Sequence, residues 1–335
     1  MTRAAGKVAA AGAGTRRAIL LMGPTGAGKS DLALRLAEAL PLEIISVDSA
    51  LVYRGMDIGT AKPSAAMRAR VTHHLMDIRD PAESYSAGEF TRDAALAMQD
   101  IWQRGRQPLL VGGTMLYFHA LSHGIAKLPA ANAEVRAQIE RQAELSGWAA
   151  LHRDLERVDP AAAARIHVND PQRIQRALEV YRLTGKTITT LQQKRMSVFT
   201  DVDVTEFIFS PLERGELHTR IELRFGAMLR AGLVAEVRTL YERSDLTAEH
   251  PSMRAVGYRQ LWRHLAGQSS LDEAVTQAIA ATRQLAKRQL TWARRREHAQ
   301  WSDSMHPEVA GMMIGALLKG GFSARSDVTP QGSLC

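Results

Sequence analysis

The chain has 335 residues, of which 45% are hydrophobic and 23% are charged. These values are typical of folded soluble proteins and exclude a small disulfide-stapled scaffold, wholesale disorder and a fibrous repeat. The single cysteine, Cys335, also excludes an internal disulfide and a thiolate zinc site. We therefore expect a folded protein that works in the reducing cytoplasm.

The net charge of +8 is unevenly distributed along the chain. Residues 165–195 contain seven basic and two acidic residues, and residues 254–296 contain nine basic and two acidic residues. The remainder of the chain is net negative. Two basic segments favour a polyanionic partner, because each Lys or Arg that neutralises a phosphate releases counterions. The alternative, an ordinary solvated helix face, stays open at this stage.

The predicted elements begin after residues 1–17, which are rich in alanine and glycine and are expected to form a disordered tail. A predicted strand at 18–22 leads into a glycine-rich loop and a predicted helix at 31–40. Further predicted strands lie at 44–47, 75–78, 109–111 and 207–209, with a helix predicted at 87–104. Strands that alternate with helices indicate a parallel sheet covered on both faces.

Strand patterns stop between 127 and 200, and this region is predicted to be a helical insertion. Its helices are predicted at 132–146, 148–158 and 171–183, the last with Asp170 as N-cap and Gly185 as C-cap. Residues 18–126 would then form the first part of the core, and residues 201–301 would complete it with a basic helical region. Helices are predicted there at 213–230 and 271–296, and residues 302–335 are predicted to be a flexible tail.

The longest uncharged run, residues 107–126, contains a proline, three glycines and two histidines. It is too polar and too interrupted for a bilayer helix. We expect no membrane contact.

The loop after the first strand matches the P-loop pattern G-x-x-x-x-G-K-[ST]. Its residues are Gly23, Pro24, Thr25, Gly26, Ala27, Gly28, Lys29 and Ser30. Backbone N–H groups of such a loop surround phosphate oxygens, the lysine reaches the outer phosphate, and the Ser30 hydroxyl can ligate Mg²⁺. The sequence therefore predicts a P-loop NTPase-like α/β fold with a phosphate site and a magnesium ion.

Several parts that nucleotide hydrolases need are missing from the sequence. There is no Asn-Lys-x-Asp guanine-reading motif and no Asp-x-x-Gly switch, and the strand at 109–111 is followed by Gly-Gly-Thr instead of an aspartate. Asp48 does follow a strand, at the sheet edge where α/β proteins bind ligands, and is the candidate general base. A turn or N-cap aspartate is the alternative interpretation.

Taken together, the motifs resemble the bacterial tRNA dimethylallyltransferase (tRNA isopentenyltransferase) family. The matching stretches include GPTGAGKS at 23–30, SVDSALVYRGMDIGTAKP at 46–63, LLVGGTMLYFHAL at 109–121, NDPQRIQRALEVYRLTGK at 169–186, MRAVGYRQLW at 253–262 and KRQLTWARR at 287–295. The resemblance implies transfer of a dimethylallyl group from dimethylallyl diphosphate to N6 of the adenosine immediately 3′ of the tRNA anticodon. Such a donor needs a phosphate-binding loop but no motif that recognises its own purine base, because it contains none.

The resemblance also implies roles for individual residues. The candidate catalytic residues are Asp48, Thr114, Lys29 and Arg224. The implied tRNA contacts are Asp48, Ser49, Ala50, Leu51, Thr114, Arg136, Gln172, Arg173, Ile174, Gln175, Arg176, Arg254, Ala255, Val256, Gly257, Tyr258, Arg259, Lys287, Arg288, Gln289, Leu290, Thr291, Trp292, Ala293 and Arg294. The implied partners are the tRNA anticodon stem-loop and dimethylallyl diphosphate, with Mg²⁺ as cofactor, and a monomer without an obligate protein partner is expected.

Three other functions stay open on the sequence. A small-molecule P-loop kinase would consume ATP, an enzyme that prenylates free adenine nucleotides would need no RNA loop, and a non-catalytic RNA-binding protein would retain the P-loop as a relic. For single residues, Thr114 also suits a helix N-cap, and Arg224 also suits an ordinary helix surface.

Overall fold

The computed structural model describes residues 16–126, 128–193 and 197–325. Six strands form one parallel sheet in the order β3-β2-β4-β1-β5-β6. The strands are β1 (Arg17–Met22), β2 (Leu42–Val47), β3 (His73–His74), β4 (Gln107–Gly112), β5 (Asp203–Ser210) and β6 (Gln300–Asp303). The α/β fold class predicted from the sequence is confirmed.

Fourteen helices lie in the described part of the chain. In chain order they are α1 (Lys29–Ala39), α2 (Ala65–Arg70), α3 (Ala87–Gln103), α4 (Met115–His123), α5 (Ala133–Ser146), α6 (Trp148–Val158), α7 (Pro160–Ala163), α8 (Pro171–Thr184), α9 (Ile188–Gln192), α10 (Arg214–Arg230), α11 (Leu233–Tyr241), α12 (Tyr258–Leu265), α13 (Leu271–Ala293) and α14 (Val309–Lys319). None of these described helices is long and apolar enough to span a bilayer.

The chain divides into two compact units, one of residues 1–119 with 199–335 and one of residues 120–198. The larger unit contains the sheet. Its central strand β1 is fully buried from Ala18 to Met22, as expected when helices cover both faces of a parallel sheet. Leu32, Leu36 and Leu40 pack against this strand layer, so the leucine spacing of α1 seen in the sequence marks its buried side.

The smaller unit is all helical in its described residues and contains α5 to α9. Its core includes Ile139, Leu151, Leu155, Ile174 and Leu178. The insertion was predicted at 127–200, whereas the compact unit spans 120–198. Residue 127 and residues 194–196 within it lie outside the described residues.

The caps predicted for helix α8 are present. The Asp170 side chain accepts a hydrogen bond from the N–H of Arg173, and Gly185 has the left-handed φ of 67° that ends many helices. Local polar chemistry therefore sets both ends of this helix.

The predicted strand at 75–78 is wrong. Strand β3 is limited to His73–His74, and the next residues turn away from the sheet, with φ of 61° at Leu75 and 55° at Asp77. The Asp77 carboxylate pairs with Lys62 and Arg68. These ion pairs hold a loop where the apolar run suggested a strand.

The predicted tails need correction where the structure describes them. Strand β1 already begins at Arg17, and residues 1–15 lie outside the described residues. Residues 302–325 are not a flexible tail, because β6 pairs with β5 and helix α14 buries Ala310, Met313 and Leu317 against the core cluster that contains α1. This apolar helical stripe was overlooked in a Gly- and Ser-rich stretch; residues 326–335 lie outside the described residues.

Candidate active site at the carboxyl edge of the sheet

Three neighbouring strands end together and define the site. In the order β2-β4-β1, Val47 and Met22 both pair with Gly112. The residues that follow these strands therefore emerge at one edge of the sheet. Carboxyl edges of parallel strands are where α/β proteins bind their ligands.

The P-loop is the first of these emerging segments. Gly26 and Gly28 have φ of 84° and 92°, in the left-handed region that favours glycine. This curl brings the loop into α1, whose first residue is Lys29. The N-terminus of α1 thus faces the site with its positive end, an arrangement suited to phosphate.

Lys29 is held inside the site. Its ammonium Nζ donates a hydrogen bond of 2.7 Å to the carbonyl oxygen of Pro24. Burial lowers the pKa of Lys29 to about 7; the Asp48 carboxylate opposes this shift and the Arg224 guanidinium adds to it. A cation that is costly to desolvate gains most from an anionic ligand.

Arg224, on helix α10, is the second cation of the site. Burial lowers its pKa from the ordinary value, with the Asp48 carboxylate acting in the opposite direction. Its Nη2 donates a 3.4 Å hydrogen bond to the carbonyl oxygen of Thr60. Its location inside the site contradicts the alternative of an ordinary helix-surface arginine.

Asp48 follows β2 and faces these cations. Its Oδ1 accepts a hydrogen bond of 2.8 Å from the N–H of Ala50, so it also stabilises its own turn. The turn role considered from the sequence is therefore real. It does not compete with a role in chemistry, since a carboxylate has a second oxygen and several lone pairs.

Thr114 follows β4 and joins its turn to that of Asp48. Its N–H donates to the carbonyl of Val47 at 3.2 Å, and its Oγ1 accepts the N–H of Ser49 at 3.1 Å. The threonine hydroxyl thus fixes the residue next to Asp48. The structure brings all four candidate catalytic residues to one edge of the sheet.

Two cavities meet at this edge, both within the larger unit. The P-loop cavity, of about 490 Å³, has the P-loop and Lys29 on one side and apolar groups such as Met67 and Met76 on another. The α13 cavity, of about 530 Å³, is lined by aromatic and basic side chains, among them Trp292 and Arg288. The residues common to both cavities are Thr25, Gly26, Asp48, Thr60, Gly113, Arg224 and Gln289.

Two supporting residues were missed or misread in the sequence. Glu236 of α11 accepts the backbone N–H groups of Asp57, Ile58 and Gly59 at 2.7 to 3.0 Å and the hydroxyl of Tyr258 at 2.6 Å. It fixes the loop that carries Thr60. A glutamate within a helix carries no local pattern that would reveal this contact.

Gln289 of α13 is the other supporting residue. Its Oε1 accepts the N–H of Thr25 at 2.9 Å, and its Nε2 donates to the carbonyl of Gly113 at 2.9 Å. The resemblance suggested a contact with RNA here. The side-chain amide is instead bonded to two loops of the sheet edge.

The other implied RNA contacts fall into exposed and buried groups. Five basic side chains on α12, on α13 and next to the ends of these helices are exposed: Arg254, Arg259, Lys287, Arg288 and Arg294. In the smaller unit Gln172 and Arg173 are exposed. These residues are available to a polyanion.

Three of the implied RNA contacts have buried side chains. Ile174 and Ala293 are fully buried, because the helical repeat turns them toward the interiors of their units. Tyr258 is also buried, and its hydroxyl donates to Glu236. Backbone or neighbouring groups would have to make any RNA contact at these positions.

Arg136 and Arg176 lie in the smaller unit beside a buried acid. Nε and Nη2 of Arg136 donate to Glu179 at 2.9 and 3.1 Å, and Nη1 of Arg176 donates to it at 2.6 Å. Together with the N–H of Asn132, these arginines hold the pKa of Glu179 below its usual range despite the opposing effect of its burial. Both guanidinium groups are therefore already paired with a carboxylate within the unit, although its single charge offsets only one of theirs.

The donor set suits magnesium. Ser30, Asp31 and Asp48 place a hydroxyl and two carboxylates around the P-loop cavity. Mg²⁺ prefers oxygen ligands and is commonly held by one or two carboxylates with substrate phosphates and water. Within residues 16–126, 128–193 and 197–325 no three His, Cys, Asp or Glu side chains form a protein-only metal cluster.

A P-loop that faces a carboxylate across a cavity at a parallel sheet edge defines a phosphate-binding α/β enzyme. Residues 51–296 match the family described as IPP transferase, and the chain belongs to that family.

Solved structures agree with this assignment. A full-length tRNA isopentenylpyrophosphate transferase from Bacillus halodurans is 36% identical over 91% of this chain and 96% of its own, with a TM-score of 0.67. The tRNA delta(2)-isopentenylpyrophosphate transferase of Staphylococcus epidermidis is 32% identical over 91% and 98%, with a TM-score of 0.65. A eukaryotic dimethylallyltransferase that acts on tRNA is 25% identical over 94% and 82%, with a TM-score of 0.74.

Proposed function

We propose that the protein transfers a dimethylallyl group from dimethylallyl diphosphate to N6 of the adenosine immediately 3′ of the anticodon of tRNA. The observation that carries this proposal is the meeting of the P-loop cavity and the α13 cavity at Asp48. One cavity has the groups for a diphosphate, and the other has the groups for a nucleic-acid base. Membership of the IPP transferase family supports prenyl transfer as the reaction.

The donor would lie with its diphosphate on the P-loop. The loop N–H groups, the α1 N-terminus and Lys29 would bind its oxygens, and Arg224 would reach it from α10. An anion beside Lys29 raises the pKa of that lysine again from about 7. The lysine is therefore expected to be fully protonated when the donor is bound.

The transfer step is a displacement at the allylic carbon. The bond between this carbon and the diphosphate oxygen breaks, a bond to the adenine nitrogen forms, and the nitrogen loses one proton. The electron pair leaves with the diphosphate, whose growing charge is stabilised by Lys29, Arg224 and the loop amides. Mg²⁺, held by Ser30 with carboxylate oxygens, would add positive charge at the same place.

Asp48 would accept a hydrogen bond, and then the proton, from the adenine N6. The hydrogen bond from Ala50 to one of its oxygens fixes the orientation of the carboxylate. An adenine amine is a weak nucleophile, so alignment of the nitrogen with the allylic carbon supplies much of the rate. Thr114 contributes by fixing Ser49 beside Asp48.

The acceptor base would enter through the α13 cavity. Residues Thr282, Leu285, Arg288, Gln289 and Trp292 line it at helical spacing, so one side of α13 forms a wall. Arg288 suits a phosphate, and Trp292 offers an aromatic surface for a base that has left its stack. The exposed cations of α13 would bind the surrounding RNA backbone.

Dimethylallyl diphosphate as donor, the monomeric state and the cytoplasm as the place of action are parts of the same proposal. A kinase or a nucleotide prenyltransferase would use the same P-loop. Neither explains the basic and aromatic wall of the α13 cavity.

The test uses purified protein, Mg²⁺ and labelled dimethylallyl diphosphate with an anticodon stem-loop, and with free AMP and ATP in parallel. We expect label only in the stem-loop. Asp48→Asn should lower the transfer rate by about 10²- to 10⁴-fold, because it removes the base while keeping the shape. Its binding of the stem-loop should stay near that of the unaltered protein.

Other outcomes separate the alternatives. Label in AMP or ATP would move the protein to the nucleotide prenyltransferases. ATP consumption without prenyl transfer would favour a kinase. Stem-loop binding without any turnover would favour the RNA-binding protein.

A further inference from the structure

Gln289 joins two loops of the active site through a single side-chain amide. We propose that it is a positioning residue for the transfer reaction, which fixes the P-loop relative to the turn that carries Thr114. The role in catalysis rests on the proposed function. The role in diphosphate binding does not depend on the acceptor.

The bridge begins where the sheet ends. Strands β1 and β4 are paired up to Met22 and Gly112, and beyond these residues the two segments separate into loops. Their backbone groups then need other hydrogen-bond partners. The Gln289 amide supplies these partners: its oxygen accepts the N–H of Thr25, and its nitrogen donates to the carbonyl of Gly113, at 2.9 Å each.

Few side chains can do this. The two groups to be joined are one donor and one acceptor, and only an amide side chain offers an acceptor oxygen and a donor nitrogen in one plane. Glutamate would retain the acceptor but would turn an oxygen toward the Gly113 carbonyl. Methionine has a similar length but would leave both backbone groups without a strong partner.

The contact leaves no spare room at the loop. A Cβ atom added at Gly113 would lie 2.4 Å from Nε2 of Gln289, closer than any allowed contact. The glycine at this position is thus explained by the close approach of the amide. A larger residue would have to displace the flexible end of the Gln289 side chain and so break its hydrogen bonds.

Helix α13 is itself firmly supported beside the bridge. Ala286 is buried with Leu217 and Ile221 of α10, and Leu290 packs against the same cluster. The P-loop rests on this support as well, since a Cβ added at Gly26 would meet Ile221 at 3.1 Å. A positioning group works best on such a rigid element.

The bridge reaches the reacting groups on both sides. Through Thr25 it holds the loop that would bind the diphosphate. Through Gly113 it holds Thr114, whose Oγ1 accepts the N–H of Ser49 next to Asp48. Gln289 therefore sets the separation between the leaving group and the base.

The rival role for Gln289 is an RNA contact, which the resemblance suggested. Both functional atoms of its amide are already bonded to backbone, whereas its neighbours Lys287 and Arg288 are exposed. The geometry favours the internal role. The two roles predict opposite patterns of binding.

The experiment compares Gln289→Glu and Gln289→Met with the same changes at Gln284. Gln284 is an exposed glutamine on the same helix, so Gln284→Glu and Gln284→Met are matched controls for charge and size. Calorimetry measures binding of inorganic pyrophosphate with Mg²⁺, a filter assay measures binding of the stem-loop, and single-turnover kinetics measure transfer. Circular dichroism of each variant checks that it is folded.

We expect both Gln289 variants to bind pyrophosphate several-fold more weakly and to transfer more slowly by about 10- to 100-fold, since an ångström of misplacement has effects of this size. Stem-loop affinity should remain within twofold of the Gln284 controls. The loss should thus appear in kcat and in diphosphate binding, and not in the KM for RNA. If Gln289 only stabilised the fold, a variant that still folds would keep its pyrophosphate affinity, its stem-loop affinity and its transfer rate.

The proposal is overturned if the Gln289 variants lose stem-loop affinity while pyrophosphate binding and kcat stay unchanged. It is equally overturned if they match the Gln284 controls in all three measurements. If Gln289→Met does not fold, Gln289→Glu, which is nearly isosteric, decides the matter. Absence of transfer by the unaltered protein would refute the proposed function, and pyrophosphate binding would still test the bridge.

Discussion

The two units of the protein treat their buried charges in opposite ways. In the larger unit Lys29 and Arg224 are desolvated at the site, and the Asp48 carboxylate attracts both, but among the described residues neither cation forms a direct ion pair. In the smaller unit the carboxylate of Glu179 is buried and bonded by Arg136 and Arg176. Both regions contain a group of close charges, but only in the larger unit do the cations lack a directly bonded carboxylate.

This difference separates a ligand site from a structural one. A desolvated cation that is not directly paired with a carboxylate is unfavourable by itself, and a bound anion relieves it. A buried carboxylate that already has two arginines and a backbone N–H gains nothing further from a ligand. The arrangement of partners, and not the number of charges, indicates which of the two groups suits an anionic ligand.

The largest expected effect is at the site in the larger unit. Lys29→Met removes the cation that would meet the outer phosphate, so we expect transfer to fall by about 10³-fold, the upper range for loss of one preorganised charge. Pyrophosphate binding should weaken in parallel. Steady-state kinetics and calorimetry with Mg²⁺ measure both effects.

Lys319→Met at the exposed end of α14 is the matched control and should behave as the unaltered protein. Comparable loss in this control would mean that total charge, and not the position of Lys29, matters. Unchanged pyrophosphate binding in Lys29→Met would contradict the distinction between a ligand site in the larger unit and a structural cluster in the smaller one.

An intermediate effect is expected in the smaller unit. Glu179→Gln leaves Arg136 and Arg176 without their counter-charge, and loss of hydrogen bonds to charged groups destabilises by about 2 kcal/mol. Hydrogen exchange in α5 and α8 should accelerate by about 30-fold, whereas exchange in β1 should not change. Glu144→Gln, at an exposed position on α5, is the control.

The effect of Glu179→Gln should depend on pH. The folded pKa of Glu179 is lowered, so its stabilising contribution is present at neutral pH and is lost as the pH falls through its folded pKa. The two proteins should converge in strongly acid solution. Equal exchange at neutral pH would show that the cluster is not structural.

The smallest expected effect is the pH dependence of pyrophosphate binding. The pKa of Lys29 is about 7 in the unliganded protein and must rise beside an anion, so binding takes up a proton above pH 7. The Kd should therefore increase by up to about tenfold per pH unit above pH 7, with no contribution from this lysine well below it. Calorimetry in two buffers of different ionisation enthalpy measures the proton uptake.

Lys29→Met is the control for the titration of pyrophosphate itself. Its profile should contain only the ionisation of the ligand and should be flatter than that of the unaltered protein. If the two pH profiles of pyrophosphate binding were parallel, Lys29 would be charged at every pH measured. The difference between the Lys29 and Glu179 sites would then rest on hydrogen bonding alone.

Much of the fold was predictable because it depends on local patterns. Several predicted features depend only on residues that are close in sequence: the buried strand β1, the glycines of the P-loop and the cap residues Asp170 and Gly185. The position of Asp48 after β2 was also predictable, since parallel strands present their carboxyl ends at one edge. For the same reason the candidate catalytic residues could be named before their distances were known.

The errors arose where partners are distant or a pattern is short. The strand predicted at 75–78 is a loop held by the ion pairs of Asp77. The tail predicted from 302 contains α14, whose apolar stripe becomes meaningful only against α1. Ile174 was included with an RNA-contacting segment, although the helical repeat places it in a core.

By itself, the sequence determined a P-loop motif on a parallel sheet, a carboxylate at the same edge and two basic segments. Only the tertiary structure decided how these parts are joined, because Gln289 lies 264 residues from Thr25 and 176 from Gly113. It also decided which cations are free to bind an anion, since the pKa of Lys29 depends on burial beneath other segments. Backbone propensity acts over a few residues, whereas desolvation and hydrogen-bond partners are supplied by whatever the fold brings near.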